Sequence, residues 1–218
     1  MRKRQRTQRA DGGVTYNRIL EVAGELFASS GFAETTNKMI AARAEVDLAS
    51  INYHFKSRDG LYQAVLMEAH HRLVSVDSLE QLALTNLSAH EKLRKLIEGL
   101  VASALVDQGW HATVLSREIL SPTSHLQSLQ KTVIPEKLPF VLSILSEITA
   151  VPAGDPALLR CLVSVMAPCA VLLVIGPRVT PFADEIHRMS REDLVEHLYR
   201  FAIGGLEAVA QAPSQKPH

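Results

Sequence analysis

The stretch from Thr35 to Phe55, TTNKMIAARAEVDLASINYHF, constrains this chain more than any other. Met39, Ile40, Ala41 and Ala44 form one short apolar helical face. Val46 follows just beyond it, and Ile51 and Phe55 open a second face at helical spacing. Between the faces, Glu45-Val46-Asp47 has room only for a tight turn, and Asp47 is a good N-cap for the second helix. Two short helices joined this way make a helix-turn-helix, whose second helix fits the major groove of DNA. Leu48, Ala49, Ser50, Asn52, Tyr53 and His54 are left facing outward from that helix. They are short or hydrogen-bonding and include no acid, so such a face can approach base edges and phosphates. The stretch implies DNA binding.

Single residues sharpen this expectation. Thr36 precedes the first of the two helices, where a hydroxyl and free backbone N–H groups suit a phosphate. Asn52 has the donor and acceptor pair that reads adenine, and Tyr53 can reach a phosphate or a thymine methyl. Ser50 lies on the same outward face, and Lys38 looks outward from the first turn of the preceding helix.

The flanks carry a family resemblance. Upstream stand Ile19-Leu20-Glu21-Val22-Ala23 to Leu26-Phe27, then Gly31-Phe32 and Thr35-Thr36. Downstream stands His54-Phe55-Lys56-Ser57-Arg58-Asp59-Gly60-Leu61. Together they resemble the N-terminal region of TetR-family regulators, over about Thr15 to Val74. Asn52-Tyr53-His54-Phe55, with Arg117-Glu118-Ile119-Leu120-Ser121-Pro122, is similar to the CecR-like branch. The resemblance implies an all-α chain with an N-terminal three-helix DNA-binding domain and a helical domain that dimerises and binds an effector. By position it implies that Lys38 contacts the backbone or a groove edge and that His54 and Arg58 hold phosphates. The chain departs from the family at Glu45, where Gly is frequent; a positive φ there would cost about 1 kcal/mol. It also has Asn52 where the family usually has Tyr, which leaves the contacts at 52 and 53 open.

Charge fits a nucleic-acid partner once its distribution is considered. The formal net charge is zero, yet Arg2, Lys3, Arg4, Arg6 and Arg9 crowd the start with no acid among them. Residues 1–72 hold eleven Lys/Arg and eight Asp/Glu, which is +3 and leaves −3 on the remainder. The basic start is followed by polar residues, unlike a signal peptide, and the longest apolar run, Cys161 to Ile175, is interrupted by Ser164 and Pro168. It is expected to fall short of a bilayer span, so a cytoplasmic protein with no membrane partner is expected. Cys161 and Cys169 lie eight apart on one expected helix, about 12 Å along its axis, too far for a disulfide. They read as buried apolar residues. No metal or cofactor is implied, since no ligand spacing occurs.

Helical spacing dominates the whole chain and no convincing strand occurs. A flexible basic arm is expected over 1–13, the helix-turn-helix domain over 14–60, an effector-binding and dimerisation domain over 61–211 and a disordered tail over 212–218. The first helix is expected over Tyr16–Ser30, capped by Thr15 and stopped by Gly31. A fourth runs from Leu61 to about Val76. Ser88-Ala89-His90-Glu91 is a capping box that opens a fifth, and Trp110–Leu120 is a sixth. Thr123–Ala150 is helical with breaks near Pro135 and Pro139. Asp155-Pro156 opens a helix that is apolar nearly all round and kinked at Pro168, and Ser190 opens the last. A helix apolar on all sides must be covered on all sides, so these last two are expected to pair with their copies in a homodimer.

No catalytic set such as Gly-x-Ser-x-Gly or a phosphate loop occurs, so an enzyme is not expected. Trp110, His111, Arg117 and Glu118 on one helix could line a small-molecule pocket, with Phe140, Met166 and Cys169 as apolar walls. His125 reads as an ordinary surface residue. The leading reading is a homodimeric repressor released from a palindromic double-stranded operator by a small, largely apolar ligand of unknown identity. An activator or a ligand-independent regulator is the alternative, and an enzyme with an incidental helix-turn-helix the remote one.

Overall fold

The computed structural model describes residues 2–105, 109–174 and 183–211, and among these every regular element is a helix. In chain order they are α1 (Arg2–Glu34), α2 (Asn37–Arg43), α3 (Leu48–Phe55), α4 (Arg58–Leu73), α5 (Val76–Ala83) and α6 (Ala89–Leu105). Then follow α7 (Trp110–Leu120), α8 (Ser124–Thr132), α9 (Ile134–Thr149), α10 (Pro156–Val174), α11 (Ala183–Arg188) and α12 (Arg191–Gln211). They form two compact units: Met1–Arg72 with Gly109–Lys131, and Leu73–Gln108 with Thr132–His218. Neither unit ends at the boundary expected at residue 60, because α4 up to Arg72, α7 and α8 up to Lys131 all belong with the N-terminal helices.

In the first unit Ile19, Ala23 and Phe27 of α1 and Ile40 of α2 are buried with Ile51 of α3 and Leu61 and Val65 of α4. This is the i, i+3, i+4 stripe that the sequence pattern predicts. The backbone helix of α1 begins at Arg2, well before Tyr16, so it crosses the segment expected as a flexible arm and leaves Thr15 inside a helix. Arg, Lys, Gln and Ala before Asp11 are all good helix formers, which favours that continuation despite Gly12 and Gly13. Gly31 interrupts α1 with φ 82° and ψ 170°, a conformation that an L-residue rarely adopts.

The second unit is a bundle in which α6 packs against α9, α10 and α12. Its core joins Leu93, Ile97 and Val101 to Leu145, Leu158, Val165, Val195 and Leu206. The capping box forms as expected: the Ser88 N–H donates to Glu91 Oε2 at 2.8 Å, and the Glu91 N–H to Ser88 Oγ at 3.3 Å. Ser190 Oγ likewise accepts from the Asp193 N–H at the start of α12. Of the two breaks expected near Pro135 and Pro139, the first is present and the second is not. The break falls at Val133, Pro135 occupies the first turn of α9 where its missing N–H costs nothing, and α9 and α10 run on through Pro139 and Pro168.

The window Pro156–Leu173 of α10 has a mean hydropathy of 2.0 over 18 residues, which by length and composition is enough to cross a bilayer. That corrects the expectation of a run too short to do so: the helix starts five residues before Cys161. Leu158, Cys161, Val165, Cys169 and Leu172 turn into the core, while Leu159, Val163 and Val171 are exposed on the far side. Both cysteines are free and buried, and burial pushes the Cys169 thiol up to about 11. The tail 212–218 lies outside the described residues.

Candidate nucleic-acid interface

The helix-turn-helix is built by local hydrogen bonds. Thr36 caps α2 by accepting the Met39 N–H at 3.3 Å, and Asp47 caps α3 by accepting the Ser50 N–H at 2.7 Å. Hydrogen bonding from Ser50 holds the Asp47 carboxyl below its ordinary value. The turn between them closes when the Ala44 N–H bonds to Ile40 O at 2.8 Å and the Val46 N–H to Ala41 O at 3.0 Å. Glu45 takes φ 53° there, so the glutamate does sit in the left-handed region.

Ile51 and Phe55 anchor α3 inward, and Tyr16 of α1 stacks on Phe55 with ring centroids 4.6 Å apart. The opposite face is open. Leu48, Ala49, Asn52 and Tyr53 are exposed, and Ser50 and His54 are half-buried. Tyr53 stands out at 74% exposure. Lys38 is exposed on α2. Behind α3, Gly60 lies against the Phe55 carbonyl so closely that a Cβ would collide with it, which fixes the entry into α4.

Arg58 departs from its expected role. Its guanidinium donates to the carbonyls of Phe32 and, at 3.3 Å, Ala33, and lies over the Phe32 ring at 4.2 Å. It braces the end of α1 to the start of α4 instead of facing a phosphate. The cation left at the end of α3 is Lys56, absent from the residues singled out above. It is exposed, takes φ 68°, and donates to Tyr53 O at 3.1 Å with its ammonium 5.9 Å from the Tyr53 ring. Its place beside Phe55 in the motif was visible in the sequence; its contact with Tyr53 was not.

Two family profiles match the chain. The profile for bacterial regulatory proteins of the TetR family covers residues 19–65. The one for the C-terminal domain of the HTH-type transcriptional dual regulator CecR covers 89–206, more than half of the chain. This chain belongs to the TetR family, with a CecR-type C-terminal domain.

Members of the family are DNA-binding transcriptional regulators and not enzymes. Relatives agree. "Probable HTH-type transcriptional regulator YttP" of Bacillus subtilis (strain 168) is 28% identical over 134 residues, covering 60% of this chain and 63% of its own. "Uncharacterized HTH-type transcriptional regulator YvkB" of the same strain is 41% identical over 54 residues, covering 25% of this chain and 29% of its own. The chain thus spans less than two thirds of the length of these relatives. Among solved structures, the regulator FadR from Bacillus subtilis in complex with stearoyl-CoA shares the fold with a TM-score of 0.69 at 16% identity, over 87% of this chain and 98% of FadR.

In this TetR-family chain the residues expected to line one effector pocket divide between the two units. Trp110 and His111 are buried in the first. The Trp110 ring lies flush on Gly24, its Nε1 donates to Glu21 Oε2 at 2.7 Å, and the Arg72 guanidinium sits 5.0 Å from the ring. Burial works against ionisation of Glu21, yet the hydrogen bonds from Arg72 and Trp110 outweigh it and hold the carboxyl below its ordinary value. Glu118 is 0% exposed and accepts from Tyr62 Oη at 2.8 Å, the Thr123 N–H at 2.9 Å and Thr123 Oγ1 at 2.7 Å. Burial, then the Glu118 carboxylate, pushes the Tyr62 hydroxyl well above its ordinary value.

Arg117 donates to Ser29 O at 3.0 Å. Phe140, Met166 and Cys169 instead belong to the packing of the second unit. His125 is no plain surface residue either, because its ring meets Phe32 and Tyr62 edge-on and its Nε2 lies 3.2 Å from Asp59 Oδ1.

Proposed function

We propose that this chain is a homodimeric repressor that leaves a palindromic operator in the cytoplasm when a small, largely apolar molecule binds its helical C-terminal domain. The observation that carries the reading is the uncovered apolar face of α10 and α12. Only 22% of the Pro156–Leu173 window is buried, with Val163 64% and Phe201 72% exposed. Between the two helices runs a groove of about 240 Å³ bordered by Cys161, Phe201, Gly205 and Val209, where the small Gly205 admits a knob from another helix. A second copy of the same two helices supplies such knobs and completes a four-helix interface.

Two copies would present two α3 helices to successive major grooves about 34–36 Å apart. Asn52 and Tyr53 would read base edges, while Thr36, Lys38, Ser50 and His54 would fix the backbone. The stearoyl-CoA bound by FadR, with its long apolar acyl tail, supports an acyl compound as one class of effector. To weaken operator binding a hundredfold, the effector must prefer the DNA-incompetent state by about 2.7 kcal/mol.

Sedimentation at micromolar concentration tests the assembly directly. The expected mass is twice the 23.9 kDa of the chain. Val163→Asp, which places a charge on the exposed face without touching the core, should yield folded monomers with much weaker operator binding. A wild-type chain that sediments as a monomer overturns the reading.

A further inference from the structure

The first unit holds a cavity of about 340 Å³ between α1, α4 and α7, with the aromatic rings of Phe27, Phe32 and Tyr62 on its wall and Arg117, Ser121 and Thr123 among its polar residues. That volume lies at the lower end of the range for small-molecule sites. The three rings form one cluster, with centroid separations of 4.9 Å for Phe27–Tyr62, 4.6 Å for Phe32–Tyr62 and 5.9 Å for Phe27–Phe32. Such a wall favours a flat apolar or aromatic body.

Two charged groups border the cavity, and they are not equivalent. Glu118 is fully buried, and its two oxygens already take three hydrogen bonds from Tyr62 and Thr123. Its oxygens are engaged by the protein's own donors. Arg117 is exposed and gives one N–H to Ser29 O, which leaves further donors of its planar fork at the cavity. The charge a ligand meets is therefore positive. Glu118 nearby disfavours a polyanion. Gly31 on the rim packs at van der Waals distance from the Arg117 guanidinium.

We infer that this cavity is a binding site for a small aromatic monocarboxylate, its carboxylate held by Arg117 and its ring against Phe27, Phe32 and Tyr62. The site lies within the first unit. Its wall is joined to α4 as well, since Phe32 carries the Arg58 guanidinium at the start of that helix.

The test uses the full chain without DNA, so it is independent of the operator and of the repressor reading. Fluorine NMR titration with 4-fluorobenzoate should show saturable binding. Arg117→Gln should weaken it about tenfold, the loss of one charge-assisted hydrogen bond. Arg43→Gln, which alters an exposed arginine paired with Glu25 away from the cavity, should leave it unchanged. Ser121→Phe fills the cavity from its rim and should abolish binding. It serves as the second variant if Arg117→Gln does not retain its helical signal. 4-Fluorobenzylamine, of like size and opposite charge, should not compete. No saturable binding, equal binding by a folded Arg117→Gln chain, unchanged binding by Ser121→Phe, or competition by the amine would each overturn the site.

Discussion

Asn52 and Tyr53 differ from their neighbours in α3 by being both polar and exposed. Each alanine substitution there should cost about 1–3 kcal/mol of operator binding while leaving binding to random duplex unchanged, as read by competition titration. Lys38→Ala and Lys56→Ala should weaken all sequences alike and flatten the dependence on salt. Arg58→Ala belongs to another category. It removes donors from two carbonyls, so its first effect should be a lower melting temperature, and a change in salt slope with unchanged stability would count against the brace. Glu45→Gly should stabilise the chain by about 1 kcal/mol, measured by urea unfolding, because glycine accepts φ 53° without strain. The sequence made the turn and both caps legible, since each rests on residues within three positions. It could not show that Arg58 reaches Phe32, because that partner lies 26 residues away and only the fold brings it near.

At the scale of elements, the helices with strong local signals appear where the pattern put them: α6 behind its capping box, α7 from Trp110 to Leu120, α10 behind Asp155-Pro156. The short α5 and α11 were not anticipated. The first is held at its start by Ser75, which accepts the Ser78 N–H, and the second is six residues long. Arg117 and Glu118 border a cavity whose wall is formed by rings of α1 and α4, which no spacing along the chain could supply.

Two element-scale predictions follow from close packing. Gly24→Ala in α1 would drive a methyl into the Trp110 ring and should destabilise the chain by about 1–3 kcal/mol in chemical unfolding. In α9, Lys137 is only 7% exposed and donates to the Val74 carbonyl, and burial lowers its pKa to about 8. An amine whose folded value lies below its unfolded one binds fewer protons when folded. Stability should therefore rise as pH increases from about 8 toward 10.5, by about 1–2 kcal/mol. Lys137→Met should remove that increment, which thermal unfolding across the range would reveal.

For the whole molecule, the two kinds of open surface lie on different units. The open polar face lies on α3 of the first unit and the open apolar face on α10 and α12 of the second. If α10 and α12 form the dimer interface, Phe201→Asp should produce monomers that keep their helical content, and light scattering with circular dichroism would show both. Loss of helix together with loss of the dimer would instead mean that Phe201 holds its own chain together. The all-round apolar character of α10 was legible in the sequence as a need for cover. The groove beside Gly205 was not, because it arises from the register of two helices that follow one another only after a long intervening stretch, so that Cys161 and Gly205 meet across it.

The chain's single tryptophan, Trp110, sits in the first unit against Gly24, Glu21 and Arg72. Its emission is thus a private signal from the DNA-binding unit, whereas circular dichroism averages over both. In a denaturant titration, coincident curves would mean that the two units melt as one cooperative body. An early loss of tryptophan signal would mean that the DNA-binding end loosens first, with the second unit outlasting it. The chain carries its own intrinsic gauge of which end yields, without any attached label.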